Sequence, residues 1–284
     1  MKTIKIVGVP EHFNMPWYQS IANRDFEHVG IDLQWTDIPE GTGKMCQMLR
    51  SGETDVAVVL TEGMVKDILG GCPAKIVQVY VATPLLWGIH VGGKSAFQEI
   101  SDLQQTTAAI SRFGSGSHLM AYVHAQQQGW DTSALQFQIV HTLDGAVDAL
   151  QQGTADYFMW ERFMTQPLVD SGVFRRIGVC PTPWPCFVIA VRDEVLANEK
   201  ETVQSIVNTI NAKTKHFKKQ SQLIAQLAQR FHQKEEALEA WLSCTEWSQN
   251  PLSEKEFELV QNHLWNLNLI DKKDTFVTVV KILK

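Results

Sequence analysis

The sequence predicts an α/β protein of two lobes, each a mostly parallel sheet flanked by helices, with a helical C-terminal extension packed on the first lobe. Three observations predict it. Strand and helix patterns alternate over residues 1–91, and the alternation starts again after residue 91. Such βαβα order is satisfied most economically by a parallel sheet covered with helices. From Asp193 onward the pattern is almost wholly helical. Finally, Pro84 and Pro185 mark two places where apolar strands carry the chain from one lobe to the other, near residues 84–91 and 185–189. The expected lobes are residues 1–88 with 187–284, and residues 89–186.

Each element follows from local pattern. Lys5 to Val9 reads as a strand and Trp17 to Val29 as a helix closed by Gly30. Ile31 to Ile38 alternates apolar and polar residues, the period of a half-buried strand. Gly41-Thr42-Gly43 opens a helix reaching Arg50. Asp55 to Leu60 is a buried strand, and Thr61-Glu62-Gly63 opens a helix ended by Gly70-Gly71. Ile76 to Val91 is long and apolar, broken by Pro84. In the second lobe, strands are expected at 108–111, 136–143, 155–160 and 174–178, with helices at 117–128, 145–151 and 164–170. Cys180 to Cys186, CPTPWPC, is proline-stiffened and not helical, and Phe187 to Val191 is a last strand. Helix starts follow near Asp193, Gln220, Lys234 and Ser253, the last in a capping box with Glu256.

Composition removes several function classes. The chain has 284 residues, 44% of them hydrophobic, which is enough for large cores, and a net charge of -6. That mild acidity argues against nucleic acid as a partner. The one basic cluster, Lys213 to Lys219, has the helical spacing of a solvated face. No apolar run reaches the roughly 18 residues of a membrane span. MKTIKIVGVPEHF enters a strand at once without a signal-like apolar region, so a cytoplasmic location is expected. The five cysteines suit a reducing compartment, and Cys180 and Cys186 lack the short pairing of zinc ligands. No Walker loop and no Gly-x-Ser-x-Gly elbow is present. Neither a metal nor a cofactor is expected.

Ligands of open α/β sheets lie beyond the carboxyl ends of the strands, which directs attention to the strand-end turns. Arg112, Ser115, Gly116, Ser117 and His118 combine one cation, hydroxyls and the free amides of a helix start, an anion cradle. His12, Asn14 and Trp17 follow the first strand; Trp17 either stacks on a ligand or packs as a hydrophobic staple with Phe13. Gly43 and Glu62 open two further helices, with an ordinary turn and a helix-dipole charge as the alternatives. Asp144, Trp160 and Glu161 end strands of the second lobe, while Trp87, His90 and Trp184 sit near the crossings. Trp87, Trp160 and Trp184 are candidates for a box that stacks on a flat ring.

Four segments are similar to a known family: GVPEHFNMPWYQSIANRDFEHVGIDLQW, SDLQQTTAAISRFGSGSHLMAYVHAQQQGW, DYFMWERF and CFVIAVRDEVLANEKETV. They resemble type II periplasmic binding proteins of the sulfonate, nitrate, taurine and thiamine-pyrimidine-precursor branch. The resemblance implies a substrate-binding protein of ABC-transporter type whose lobes close over one small molecule, without chemistry. Two departures are notable: the signal or lipid anchor of exported members is not seen, and CPTPWPC keeps only two cysteines of the dense motif in the fungal thiamine pyrimidine synthase. The cleft residues mix Arg112, His12, His90 and His118 with Glu62, Asp144 and Glu161, which suits a polar or heteroaromatic ligand, pyrimidine-like or zwitterionic. The alternative is a thiamine-precursor enzyme that uses pyridoxal phosphate, with Lys44 as the Schiff-base lysine. A transporter or regulatory partner is left unidentified by the sequence.

Overall fold

Lys2–Gly8 buries Ile4, Ile6 and Val7 and leaves Lys2, Thr3 and Lys5 outside, the alternation of a strand that becomes covered on both faces towards its end. The computed structural model describes residues 1–283 and continues from this strand, β1, into α1 (Met15–Ala22), β2 (Ile31–Asp37) and α2 (Thr42–Ser51). Then come β3 (Val56–Leu60), α3 (Thr61–Leu69), β4 (Ala74–Val81) and β5 (Leu86–Gly92). Next are β6 (Thr107–Ile110), α4 (Gly116–Gln127), β7 (Gln136–Ile139), α5 (Leu143–Gln152), β8 (Tyr157–Glu161), α6 (Gln166–Asp170) and β9 (Phe174–Pro181). The chain ends with β10 (Phe187–Arg192), α7 (Asp193–Asn198), α8 (Lys200–His216), α9 (Leu223–Phe231), α10 (Glu235–Ser243), α11 (Glu254–Asn266) and α12 (Phe276–Val279).

Two units result. The first is Met1–Pro84 with Trp184–Lys284, the second Leu85–Pro183. The sheet of the first unit has the order β2-β1-β3-β10-β4, with β10 antiparallel to both neighbours and the other pairs parallel. The second sheet, β7-β6-β8-β5-β9, repeats the plan with β5 reversed. Each reversed strand is the first one after a crossing, so four strands in each sheet share one direction. Phe187 pairs with Leu60, and Trp87 with Glu161 and Cys180. Both crossings therefore leave from the carboxyl edges of their sheets.

Those edges are fastened by threonines. In the first unit the Thr61 amide donates to Cys186 O (3.1 Å), its hydroxyl donates to Pro185 O (2.5 Å), and the Cys186 amide donates to Thr83 O (3.2 Å). In the second, Leu85 N donates to the Thr182 hydroxyl and Thr182 N to Leu85 O, both at 3.0 Å. The outer edge of β4 is covered by the C-terminal part of the chain. Val79 N donates to Asn250 O, Ser248 N to Tyr80 O, Ala82 N to Glu246 O and Lys281 N to Ile76 O. Pairing of this kind removes an exposed strand edge.

The structure moves several element boundaries. The helix expected over 17–29 ends at Ala22, because Arg24 adopts a left-handed φ of 61° and a short 3-10 turn completes the path to Gly30. The strand expected to reach residue 143 stops at Ile139, since His141 is also left-handed and Thr142 caps α5. The strand from Phe174 runs on to Pro181 through its pairing with Leu86. In the helical part, Glu199 leaves helical geometry and divides α7 from α8, and α12 was not anticipated. Residues 85–88 fall in the second unit and 184–186 in the first, the reverse of the expected lobe limits. No helix among the described residues is long and apolar enough to cross a membrane.

Thr61→Val keeps the shape of the side chain but strands the Pro185 carbonyl. A loss of about 1–2 kcal/mol in urea denaturation is expected; an unchanged midpoint would mean that the hydroxyl does not hold the returning chain.

Candidate functional site

At the carboxyl edge of the first sheet, a tight turn follows β1. Asn14 Nδ2 donates to Val9 O (2.8 Å) and closes it, while Tyr80 Oη and Trp247 Nε1 both donate to Phe13 O (2.9 and 3.2 Å). Gly8 has to be glycine here: a Cβ would run into the indole of Trp35 and approach Asn14 Nδ2. His12 is wholly buried beside Trp241 (ring centroids 4.2 Å) and Phe231 (5.9 Å). Burial lowers its pKa to about 3, so the ring is neutral. Burial also pushes Glu11, its neighbour, up to about 7.

Trp17 is a core residue. It lies among Phe26, Trp35 and Tyr80 with no exposed surface, so its expected role in stacking on a ligand is corrected to packing. Gly43 is likewise not the special glycine of its turn: it sits inside α2, and the left-handed residue is Gly41, φ 78°. Thr42 accepts a hydrogen bond from Leu60 N and packs on Gly63, where a Cβ would meet its methyl group. Lys44 lies in the first turns of α2, half-buried.

Glu62, 3% exposed, accepts a hydrogen bond from Trp184 Nε1 at 2.7 Å through one carboxylate oxygen. The other oxygen is buried without a partner. Burial raises its pKa to about 7, opposed by its own amide and by the Trp184 indole. Trp184 is 2% exposed and meets His263 edge-on (5.3 Å). Glu62 and Trp184, expected to face a ligand, thus bind each other and hold the returning chain.

In the second unit, the turn after β6 is closed by its own hydroxyls. Ser117 Oγ accepts from Ser111 N (3.0 Å), Ser115 Oγ accepts from His118 N (3.3 Å), and the two hydroxyls lie 3.1 Å apart. His118 Nδ1 accepts from Gly114 N (3.1 Å), and its ring packs edge-on against Phe113, Tyr122 and Phe137. Much of the expected cradle is therefore self-satisfied. The amides of Gly116 and Ser117, at the start of the twelve-residue α4, remain without an acceptor among the described residues. Arg112 is exposed and has no ion-pair partner among them.

Glu161 is buried, and its Oε2 accepts from Phe163 N (2.8 Å) and Met164 N (2.6 Å), capping the turn after β8. Asp144 is exposed in the first turn of α5 and favours the helix dipole there. Trp160 is half-buried, stacked on Phe158 (5.4 Å) and edge-on to Trp87 (6.4 Å). Trp87 is 4% exposed and its indole N–H has no acceptor. The three-tryptophan box is corrected to a Trp87–Trp160 pair, since Trp184 serves Glu62 in the other unit. His90 is buried and bonded to Thr165 Oγ1 (2.9 Å) and Phe158 O (3.3 Å). Burial, then the Arg176 charge, lowers its pKa to about 4 against the pull of the Phe158 carbonyl. Among the residues sequence reasoning missed, Thr61 and Thr165 look like ordinary helix openers, and nothing in the local pattern marks Trp241.

A family model described as Ca3427-like PBP matches residues 87–180, which lie wholly within the second unit. No curated protein matches the sequence. Among solved structures, the Candida albicans CA3427 gene product, which exhibits the generic periplasmic binding protein fold, is similar over 100% of this chain and 98% of its own. The TM-score is 0.90 and the identity 23%. The alkanesulfonate-binding protein SsuA of Xanthomonas axonopodis pv. citri, bound to MOPS, covers 99% of both chains at TM-score 0.84 and 16% identity. The nitrate-binding protein NrtA of Synechocystis PCC 6803 gives TM-score 0.72 at 12% identity, over 98% of this chain and 84% of its own. The chain has the type II periplasmic-binding-protein fold, as the resemblance implied.

The Glu62 proton supplies a test of the edge. Because the folded pKa is about 7 against an ordinary 4.5, the contribution to stability is fully present below pH 4.5 and is lost as pH rises through 7. Glu62→Gln keeps an acceptor for Trp184 and removes the titration. Its stability relative to the parent should rise between pH 4.5 and 8, by about 3 kcal/mol at most, in denaturation measured across that range. A pH-independent difference would show that Glu62 is ionised in the fold.

Proposed function

We propose that the chain is a solute-binding protein for a small polar or heteroaromatic molecule that carries an anionic group, held at the carboxyl edge of the second sheet. The carrying observation is that the turn before α4 carries an exposed cation, Arg112, with no ion-pair partner among the described residues, and ends in a helix start whose first two amides have no acceptor among them. A guanidinium next to a helix N-terminus stabilises an oxyanion by charge and by directed N–H groups.

The state of the acids supports the same reading. Counted in the sequence, Glu62, Asp144 and Glu161 weigh against an anion. Glu161 is committed to two backbone amides, Glu62 to Trp184, and Asp144 lies exposed on a helix start. What the second edge leaves unengaged is then Arg112 and the first α4 amides, with Asp144 the one of the three acids not held by a hydrogen bond of the fold. Trp160, half-buried and stacked on Phe158, is the aromatic side chain of this edge on which a flat ligand body would rest. Solute binding also accords with the likeness to sulfonate- and nitrate-binding proteins.

Native mass spectrometry of freshly purified protein should reveal a small molecule released on denaturation. Titrating that molecule in a calorimeter should show Arg112→Ala weakening it about 10- to 100-fold, the size of a lost charged hydrogen bond. Unchanged affinity in the variant would remove Arg112 from the site, and absence of any bound molecule together with no thermal response to a panel of small organic anions would sink the reading.

A further inference from the structure

The first unit holds a concentration of polar ring atoms that its own packing does not use. Both nitrogens of His12 and the indole nitrogen of Trp241 are buried without a hydrogen-bond partner, on rings only 4.2 Å apart. Buried polar atoms of folded proteins are almost always paired, so three orphans on two touching rings call for a missing partner. An apolar residue at either position would avoid the desolvation cost. The neutral ring of His12 carries one N–H and one lone pair, and Trp241 adds a second N–H. A planar group with an acceptor and a donor on adjacent atoms, as in a lactam or an amide, matches two members of this set: it accepts from the Trp241 N–H and donates to the unprotonated His12 nitrogen.

Two helices cover the pair. Phe231, the last residue of α9, meets His12 edge-on, and Trp241 comes from α10, which packs on α9. The residues that bound α9, Gln222 (φ 60°) and His232 (φ 53°), are both left-handed without being glycine. Strain at each end of one short helix is what a segment with a second resting position would store. Its ties to α1 are made by side chains: Gln19 Nε2 donates to Gln226 Oε1 (3.0 Å), and the Arg230 guanidinium lies 3.7 Å over the Tyr18 ring.

We propose that His12 and Trp241 form a recognition point for a planar lactam- or amide-like group, with α9 and α10 acting as its lid. It belongs to the first unit and does not depend on Arg112, so either assignment stands or falls without the other.

The probe is 2-pyridone, with benzene as an apolar control and His12→Phe as the variant. His12→Phe keeps an aromatic ring in the stack and removes both orphan nitrogens, so its Tm should rise above that of the parent. Millimolar 2-pyridone should raise the parent's Tm, shift the His12 imidazole nitrogen resonances and slow hydrogen exchange in α9 and α10 more than in α8. The variant should lose all three responses, and benzene should produce none in either protein. A variant that is less stable than the parent, or that still responds to 2-pyridone, overturns the site. An equal response to benzene reduces it to an apolar gap, and unchanged exchange in α9 and α10 removes the lid.

Discussion

The structure depends on one strand that arrives late. β10 lies between β3 and β4, so the first sheet is continuous only after the chain has built the second unit and returned. Its entry is governed by a short set of hydrogen bonds: Thr61 to Pro185 and Cys186, Cys186 to Thr83, and Trp184 to Glu62. The second sheet has the same design, with β5 inserted between β8 and β9 and fixed by Thr182. Reversed strands in these positions force both crossings out at the carboxyl edges. Polar residues collect there because strand-end turns and helix starts do.

That constraint explains why some residues which look like ligand contacts are structural. Glu62 and Trp184 stand where the returning chain needs an anchor, and a buried carboxyl accepting an indole N–H provides one. Glu161 stabilises the turn after β8 by accepting from two amides, which resolves how an acid can follow an apolar strand into a buried place. With Glu161 held in this way, Asp144 is the acid of the second edge that stays exposed. Which polar groups are available at these edges follows from what the fold leaves unpaired, not from which residue types are present.

The candidate site was legible in part. The turn from Arg112 to His118 was visible because a strand, a Gly-Ser-Gly-Ser run and a helix start are local features. What the hydroxyls do there was not, since Ser115 and Ser117 could bond outward or to Ser111 and His118 with no change in sequence. Trp17 has the composition of a stacking residue, yet Phe26 from the loop after α1, Trp35 from β2 and Tyr80 from β4 enclose it. Trp241 lies some 230 residues from His12 in the chain, a separation at which no periodicity or spacing signals contact.

By itself the sequence determined the alternation of strands and helices, the two-lobed α/β plan, the prolines at the crossings and the helical C-terminal part. These are written in short-range apolar periodicity and in the backbone restrictions of proline and glycine. Only the tertiary structure decided which charged and polar groups are already partnered, because that depends on neighbours brought together from distant segments. It also decided where the two reversed strands insert, since pairing partners are chosen by the closing of the whole sheet and not by any one strand.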